Sequence, residues 1–120
     1  MKVLIVDDSK AMRMIVLRTL RQTGLPIDDV LEAEDGLQAL DVVAGFAPDL
    51  ILSDWKMPNM TGMQFLTELR ARGDETRFGF VTAESHPKRK EEAINAGAAF
   101  FLGKPLDVER LGEVIRETVA

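Results

Sequence analysis

Short apolar runs alternate with helix-patterned stretches five times along this chain, and that alternation restricts the folds open to it. Lys2 to Val6 is a β-branched apolar run of the kind that forms a strand buried on both faces. From Ser9 to Thr23, apolar residues at Met12, Ile15, Val16 and Leu20 recur at helical spacing until Gly24 and Pro26 stop the pattern. Asp29 to Ala33 reads as a second, weaker strand. Asp35 is placed to cap a helix whose inner face is Leu37, Leu40, Val43 and Ala44. Leu50 to Ser53 is a third strand. Met57-Pro58-Asn59 reads as a loop, and Thr61 to Gln64 has the capping-box pattern that opens a helix burying Phe65, Leu66 and Leu69. Phe78 to Thr82 is a fourth strand. Pro87 suits the first turn of a helix that runs to Asn95 and stops at Gly97. Ala99 to Leu102 is a fifth strand, and Asp107 caps a last helix with Val108, Leu111, Val114 and Ile115 inward.

Five strand–helix units in series predict an α/β fold: a doubly wound, five-stranded parallel sheet with helices on both faces, joined by right-handed crossovers. The 120 residues contain no repeat, low-complexity segment or linker, so a single domain over 1–120, with no effector domain, is expected. A net charge of −5 lacks the basic footprint of a nucleic-acid-binding surface, and no nucleic-acid partner is expected. The absence of cysteine excludes disulfides, thiolate chemistry and cysteine-ligated metals. The first apolar run is cut off by Asp7-Asp8, too soon for a signal peptide or a membrane span, so no membrane insertion and a cytoplasmic location are expected.

Ligands in open parallel sheets bind outside the carboxyl ends of the strands. The polar residues at those ends are Asp7 and Asp8, then Asp54, Thr82 and Lys104; only the second strand contributes nothing obvious. Three carboxylates brought together repel unless positive charge is supplied. Mg²⁺ suits them, because it is hard, takes oxygen ligands and retains waters when few carboxylates bind it. Asp8 and Asp54 can ligate directly, Asp7 through a metal-bound water, and the Lys56 backbone carbonyl can add an oxygen. An aspartate carboxylate can also attack phosphorus to form an acyl phosphate. The transferring group carries its charge on equatorial oxygens, so catalysis is mostly positioning and neutralisation. Lys104, the Thr82 hydroxyl and the Ala83 amide are the residue types that serve this.

These residues resemble the response-regulator receiver family, in which Asp7-Asp8, Asp54, Thr82-Ala83 and Lys104-Pro105 all fall at the family's motif positions. The stretch Ser53-Asp54-Trp55-Lys56-Met57-Pro58-Asn59-Met60 is similar to the single-domain chemotaxis branch of that family, and the resemblance covers the whole chain. It implies a flavodoxin-like sheet with strand order 2-1-3-4-5. Asp54 would be the phosphoacceptor, taking its phosphoryl group from a phosphohistidine on a sensor histidine kinase or a histidine phosphotransfer protein. The resemblance also implies that Thr82 and the aromatic Phe101 switch together. The fourth helix, fifth strand and fifth helix would then present a new surface to an output protein. A monomer is expected, and not an enzyme beyond its own phosphotransfer and dephosphorylation.

The chain departs from the family pattern in places. Phe101 stands where tyrosine is frequent, and Thr61 where aspartate is frequent. Pro87, Lys90, Val114 and Glu117 do not match the residues of the branch's motor-binding face. Gly79 inside a strand signals close backbone approach. Strand alternation puts Phe100 and Phe101 on opposite faces, one in the core and one outward. Lys56 and Glu84, two residues past Asp54 and Thr82, are expected to overhang the phosphoryl site, pair, and tune hydrolysis. His86 is read as a capping or solvated residue, and Lys88-Arg89-Lys90 as a solvated face offset by Glu91 and Glu92.

Other classes fit less well. A nucleotide- or flavin-binding domain needs a glycine-rich loop after its first strand, where this chain has Asp7-Asp8-Ser9-Lys10. An aspartyl-phosphate hydrolase of free substrates usually spaces two aspartates one residue apart there and encloses its substrate with a cap domain. A phosphate-independent interaction module, a phosphorelay intermediate and a phosphate sink stay open.

Overall fold

The computed structural model describes residues 1–84 and 86–119. Five strands and five helices alternate: β1 (Lys2–Val6), α1 (Lys10–Gln22), β2 (Asp29–Ala33), α2 (Gly36–Phe46), β3 (Leu50–Ser53), α3 (Gly62–Ala71), β4 (Arg77–Thr82), α4 (Pro87–Asn95), β5 (Phe100–Gly103) and α5 (Val108–Val119). All strand pairs are parallel, in the order β2-β1-β3-β4-β5. The expected flavodoxin-like architecture is therefore the one found. β4 starts one residue earlier than expected, and β5 starts and ends one residue later.

The pleat of β1 shows how the core is divided. Leu4 and Val6 join Ile51, Phe78 and Phe80 beneath α2, α3 and α4. Val3 and Ile5 join Leu50, Leu52 and Val81 beneath α1 and α5. Each fully buried Leu, Ile or Phe contributes roughly 1.5–3 kcal/mol by leaving water. Phe100 belongs to the second cluster, whereas Phe101 is half-buried against the first. The Phe100 ring occupies the space above Gly79, its register partner on β4; a Cβ on Gly79 would lie 2.1 Å from that ring. The strand glycine is thus a socket for an aromatic ring.

The helix caps are local chemistry realised. Ser9 accepts the Met12 amide, Asp35 the Gln38 amide, and Thr61 and Gln64 form a complete capping box. His86 caps α4, its Nδ1 accepting the Lys88 amide at 3.2 Å.

Three helix faces differ from expectation. On α1, Ile15 is 43% exposed, while Arg13 and Thr19 are buried with Val16 and Leu20. Residues 13, 16 and 20 form one stripe, and hydrophobicity alone cannot centre a stripe whose edge is an arginine with buried partners. On α2, Leu37 is 50% exposed and Ala44 is also exposed; Gly36 and Ala39 face inward with Leu40 and Val43. Gly36 packs against Met60, where a Cβ would meet Cγ at 2.6 Å, and this close approach turns the helix by about one residue. On α5, Val108 is only half-buried, and Gly112 joins Leu111, Val114 and Ile115 inside.

Candidate functional site

The parallel sheet brings all its strand carboxyl ends to one rim. Asp7 and Asp8 follow β1, Asp54 follows β3, Thr82 ends β4, and Lys104 follows β5. Asp7, Asp8 and Asp54 each present a carboxylate oxygen within 4.8 Å of the others. The Lys104 ammonium donates to Asp7 Oδ2 and to Asp54 Oδ2, both at 3.1 Å. Residues 97 and 50 positions apart in the chain thus share one proton-rich contact.

Two of the three carboxylates are aimed by backbone groups. Asp7 Oδ1 accepts the Ser9 amide at 2.9 Å, and the Asp7 amide itself donates to Ala33 O on β2 at 3.1 Å. Asp54 Oδ1 accepts the Trp55 amide at 2.6 Å, and the Asp54 amide donates to Val6 O at 2.9 Å. Behind Asp54, Gly62 opens α3 so tightly that a Cβ there would sit 2.0 Å from the Asp54 carbonyl. Thr82 is buried, and its hydroxyl oxygen accepts the Glu84 amide at 3.1 Å, leaving the hydroxyl proton free to donate. The Thr82 carbonyl accepts the Lys104 amide at 2.9 Å, and the Lys104–Pro105 bond is cis. Ala83 follows directly and is exposed.

The electrostatics are unbalanced in a consistent direction. Burial pushes the Asp7 carboxyl above its ordinary value; the Asp54 charge adds to this, and the Ser9 amide and Lys104 offset it only in part. Burial alone would depress Lys104, but attraction by Asp54 and its hydrogen bonds to Asp7 and Asp54 outweigh it and raise its value. Three carboxylates against one ammonium leave a formal charge of −2, which a divalent cation would neutralise. Oxygens on opposite sides of a bound Mg²⁺ lie about 4.2 Å apart, at about 2.1 Å from the ion. The acidic cluster is therefore of suitable size, charge and hardness. The Lys56 carbonyl accepts no hydrogen bond among the described residues, so its lone pairs stay available.

The expected companions lie close by. Lys56 Nζ is 3.6 Å from Glu84 Oε2, with the lysine side chain 83% exposed. Arg89 on α4 reaches the same glutamate at 3.9 Å and Glu92 at 3.2 Å, and lies 5.5 Å from the Trp55 ring centre. The Lys88–Lys90 run is thus not uniformly solvated, because its middle residue covers an aromatic. Phe101 packs edge-on to Trp55 and tilted against Phe80, both at 6.1 Å.

The part that β2 plays at the rim was not foreseen from sequence. Asp35, just past β2, accepts Asn59 Nδ2 at 2.7 Å as well as capping α2, and so pins the loop that follows Asp54. Glu32 on β2 binds Arg13 Nε at 2.8 Å, and Arg13 Nη1 donates to the Asp7 carbonyl at 2.8 Å. The available signal was an arginine on the same helical stripe as Val16 and Leu20.

The model of the response regulator receiver domain matches residues 3–116. The chemotaxis protein CheY of Bacillus subtilis is 35% identical over 118 residues, covering 98% of this chain and 97% of that protein. The response regulator MprA of Mycobacterium avium is 33% identical over 111 residues, and there the chain spans about half of its relative, 47%. Among solved structures, the chemotaxis response regulator CheY4 of Vibrio cholerae superposes with a TM-score of 0.82 at 35% identity, covering 98% of this chain and 97% of that one. The receiver domain of the Francisella response regulator 1452 gives 0.83 at 30% identity, over 98% of this chain and 93% of that one. A family match over nearly its whole length, a relative 35% identical along both chains and a shared five-stranded fold establish that this chain belongs to the response regulator receiver domain family.

Proposed function

We propose that the protein accepts a phosphoryl group on Asp54 from a phosphohistidine and uses it to switch a binding surface. The observation that carries this reading is the Lys104 ammonium bridging Asp7 and Asp54 beside Asp8. Asp8, Asp54 and the Lys56 carbonyl would hold Mg²⁺, with Asp7 acting through its bound water. When bound, the ion supplies positive charge beside the phosphoryl oxygens.

The chain's own residues do the rest. An Asp54 carboxylate oxygen attacks phosphorus, a P–O bond forms, and the P–N bond to the donor imidazole breaks with its electron pair leaving on nitrogen. Lys104 neutralises one phosphoryl oxygen, while the Thr82 hydroxyl and the Ala83 amide donate to another. Water later cleaves the acyl phosphate, and Lys56 and Glu84 set its access. The only chemistry it catalyses is its own phosphotransfer and dephosphorylation.

The surface switched is the face of α4, β5 and α5. A hollow of about 550 Å³ lies there, with Lys90, Ile94, Phe101, Val114 and Glu117 in its wall. Thr82 and Phe101 link it to the rim, since the phosphoryl group can favour only the state whose contacts with it are better. The donor is a sensor histidine kinase or a histidine phosphotransfer protein, and the receiver of the signal is another protein. The likeness to two chemotaxis regulators supports a role in chemotaxis. No helix among the described residues is long and apolar enough to cross a membrane. The protein is proposed to work in the cytoplasm as a monomer.

The test uses Trp55, the only tryptophan. Mg²⁺ with beryllofluoride or a small phosphodonor should change its fluorescence, and the phosphodonor should leave base-labile phosphate on the wild type but none on Asp54→Asn. Equal labelling of both proteins would end the reading.

A further inference from the structure

Arg13 is a charged residue on the apolar stripe of α1, in line with Val16 and Leu20, and only 9% exposed. Its Nε donates to Glu32 on β2 at 2.8 Å, and its Nη1 to the backbone carbonyl of Asp7 at 2.8 Å. The ion pair is a weak source of stability, because the Glu32 side chain is 43% exposed and solvent screens the attraction while the buried guanidinium still loses its hydration. An apolar side chain would fill the stripe as well. The fork geometry of the guanidinium suggests another role, since it holds two differently placed acceptors at once.

The held carbonyl occupies a sensitive place. The Asp7–Asp8 peptide unit is planar, so fixing its oxygen fixes the plane from which the Asp8 backbone departs. Asp7 lies one residue beyond the end of β1; its amide is already tied to Ala33 O, and Arg13 ties the other polar group. With the Ser9 amide on Asp7 Oδ1, backbone and side chain are both determined. Partners that orient metal ligands from behind typically alter affinity 10- to 100-fold when removed.

We propose that Arg13, oriented by Glu32, is the positioning residue that sets the relative direction of the Asp7 and Asp8 carboxylates for divalent-cation binding. The inference rests on the functional reading above, and it gives β2 its part in the site. It also predicts a sign. Removing a positive charge beside three carboxylates should tighten cation binding on Coulombic grounds alone. Loss of positioning should loosen it.

The experiment is Mg²⁺ titration of the whole chain, read by Trp55 fluorescence and checked by calorimetry, for Arg13→Met, Arg13→Lys, Glu32→Gln and Arg13→Met/Glu32→Gln. Thermal melts establish that each variant is folded at the titration temperature. Arg13→Met should weaken Mg²⁺ about 10- to 100-fold. Arg13→Lys keeps the charge but loses the fork, and should fall between it and wild type. Glu32→Gln should weaken binding less than Arg13→Met and add nothing in the double variant, because it acts only through Arg13. Unchanged or tighter binding in folded Arg13→Met and Arg13→Lys overturns the inference alone. A wild type with no saturable Mg²⁺ response overturns the functional reading and the inference together.

Discussion

Two aspartates at the same rim respond to folding in opposite ways. Asp35 lies below its ordinary carboxyl value of 3.8, held there first by the Gln38 amide and then by Asn59. Its folded value is the lower one, so the unfolded chain binds the proton more tightly. The stability it confers is complete above the unfolded value and is lost as pH falls through the folded one. Asp35→Ala should cost about 0.5–2 kcal/mol at neutral pH, by loss of the cap, and that deficit should shrink in acid; chemical denaturation at several pH values checks it. Asp7 has the reverse sign. Burial raises its value, so at neutral pH its ionised form favours the unfolded chain. Asp7→Asn should therefore melt above wild type in chelator while losing Mg²⁺ affinity. A lower melting temperature would mean that pairing with Lys104 outweighs the burial cost.

At the scale of elements, most of the architecture was legible because each segment carried its own punctuation. Ser9, Asp35, Thr61 and His86 all cap as their chemistry suggests, and strand ends fall within one residue of expectation. Helix rotation was not legible. Leu37 and Ile15 are exposed because Met60 presses on Gly36 and because Arg13 finds partners on β2 and at Asp7, just past β1. Local periodicity leaves a helix about one residue of rotational freedom, and only a neighbour removes it. The Gly79–Phe100 socket is of the same kind, since a strand glycine announces close approach without naming what approaches. Gly79→Ala would drive a methyl into the Phe100 ring. It should destabilise by about 1–3 kcal/mol, as overpacking does, and denaturant midpoints would show it. Pairing it with Phe100→Leu should recover part of the loss.

For the whole molecule, the rim concentrates repulsion that the fold tolerates and a cation would relieve. Mg²⁺ should therefore raise the melting temperature of wild type, since a ligand binding only the folded state at 100 times its Kd adds about 2.7 kcal/mol. Asp8→Asn should show much less of this, and Ca²⁺, with its longer oxygen distances, should substitute poorly. A melting temperature indifferent to Mg²⁺ across a wide concentration range would contradict the metal assignment. The same linkage makes beryllofluoride with Mg²⁺ a stabiliser of wild type but not of Asp54→Ala.

Sequence by itself determined the strand–helix order, the caps, the two-sided core and the residue types at the strand ends, because these depend on neighbours within a few positions. The pairing of Lys56 with Glu84 was expected from their places after the third and fourth strands, whereas tertiary structure alone decided that Lys104 bridges Asp7 and Asp54 and that Glu32 reaches the Asp7 carbonyl through Arg13. Those contacts join residues on different strands, loops and helices. Their distances follow from sheet register and helix rotation, which arise only when the elements pack together.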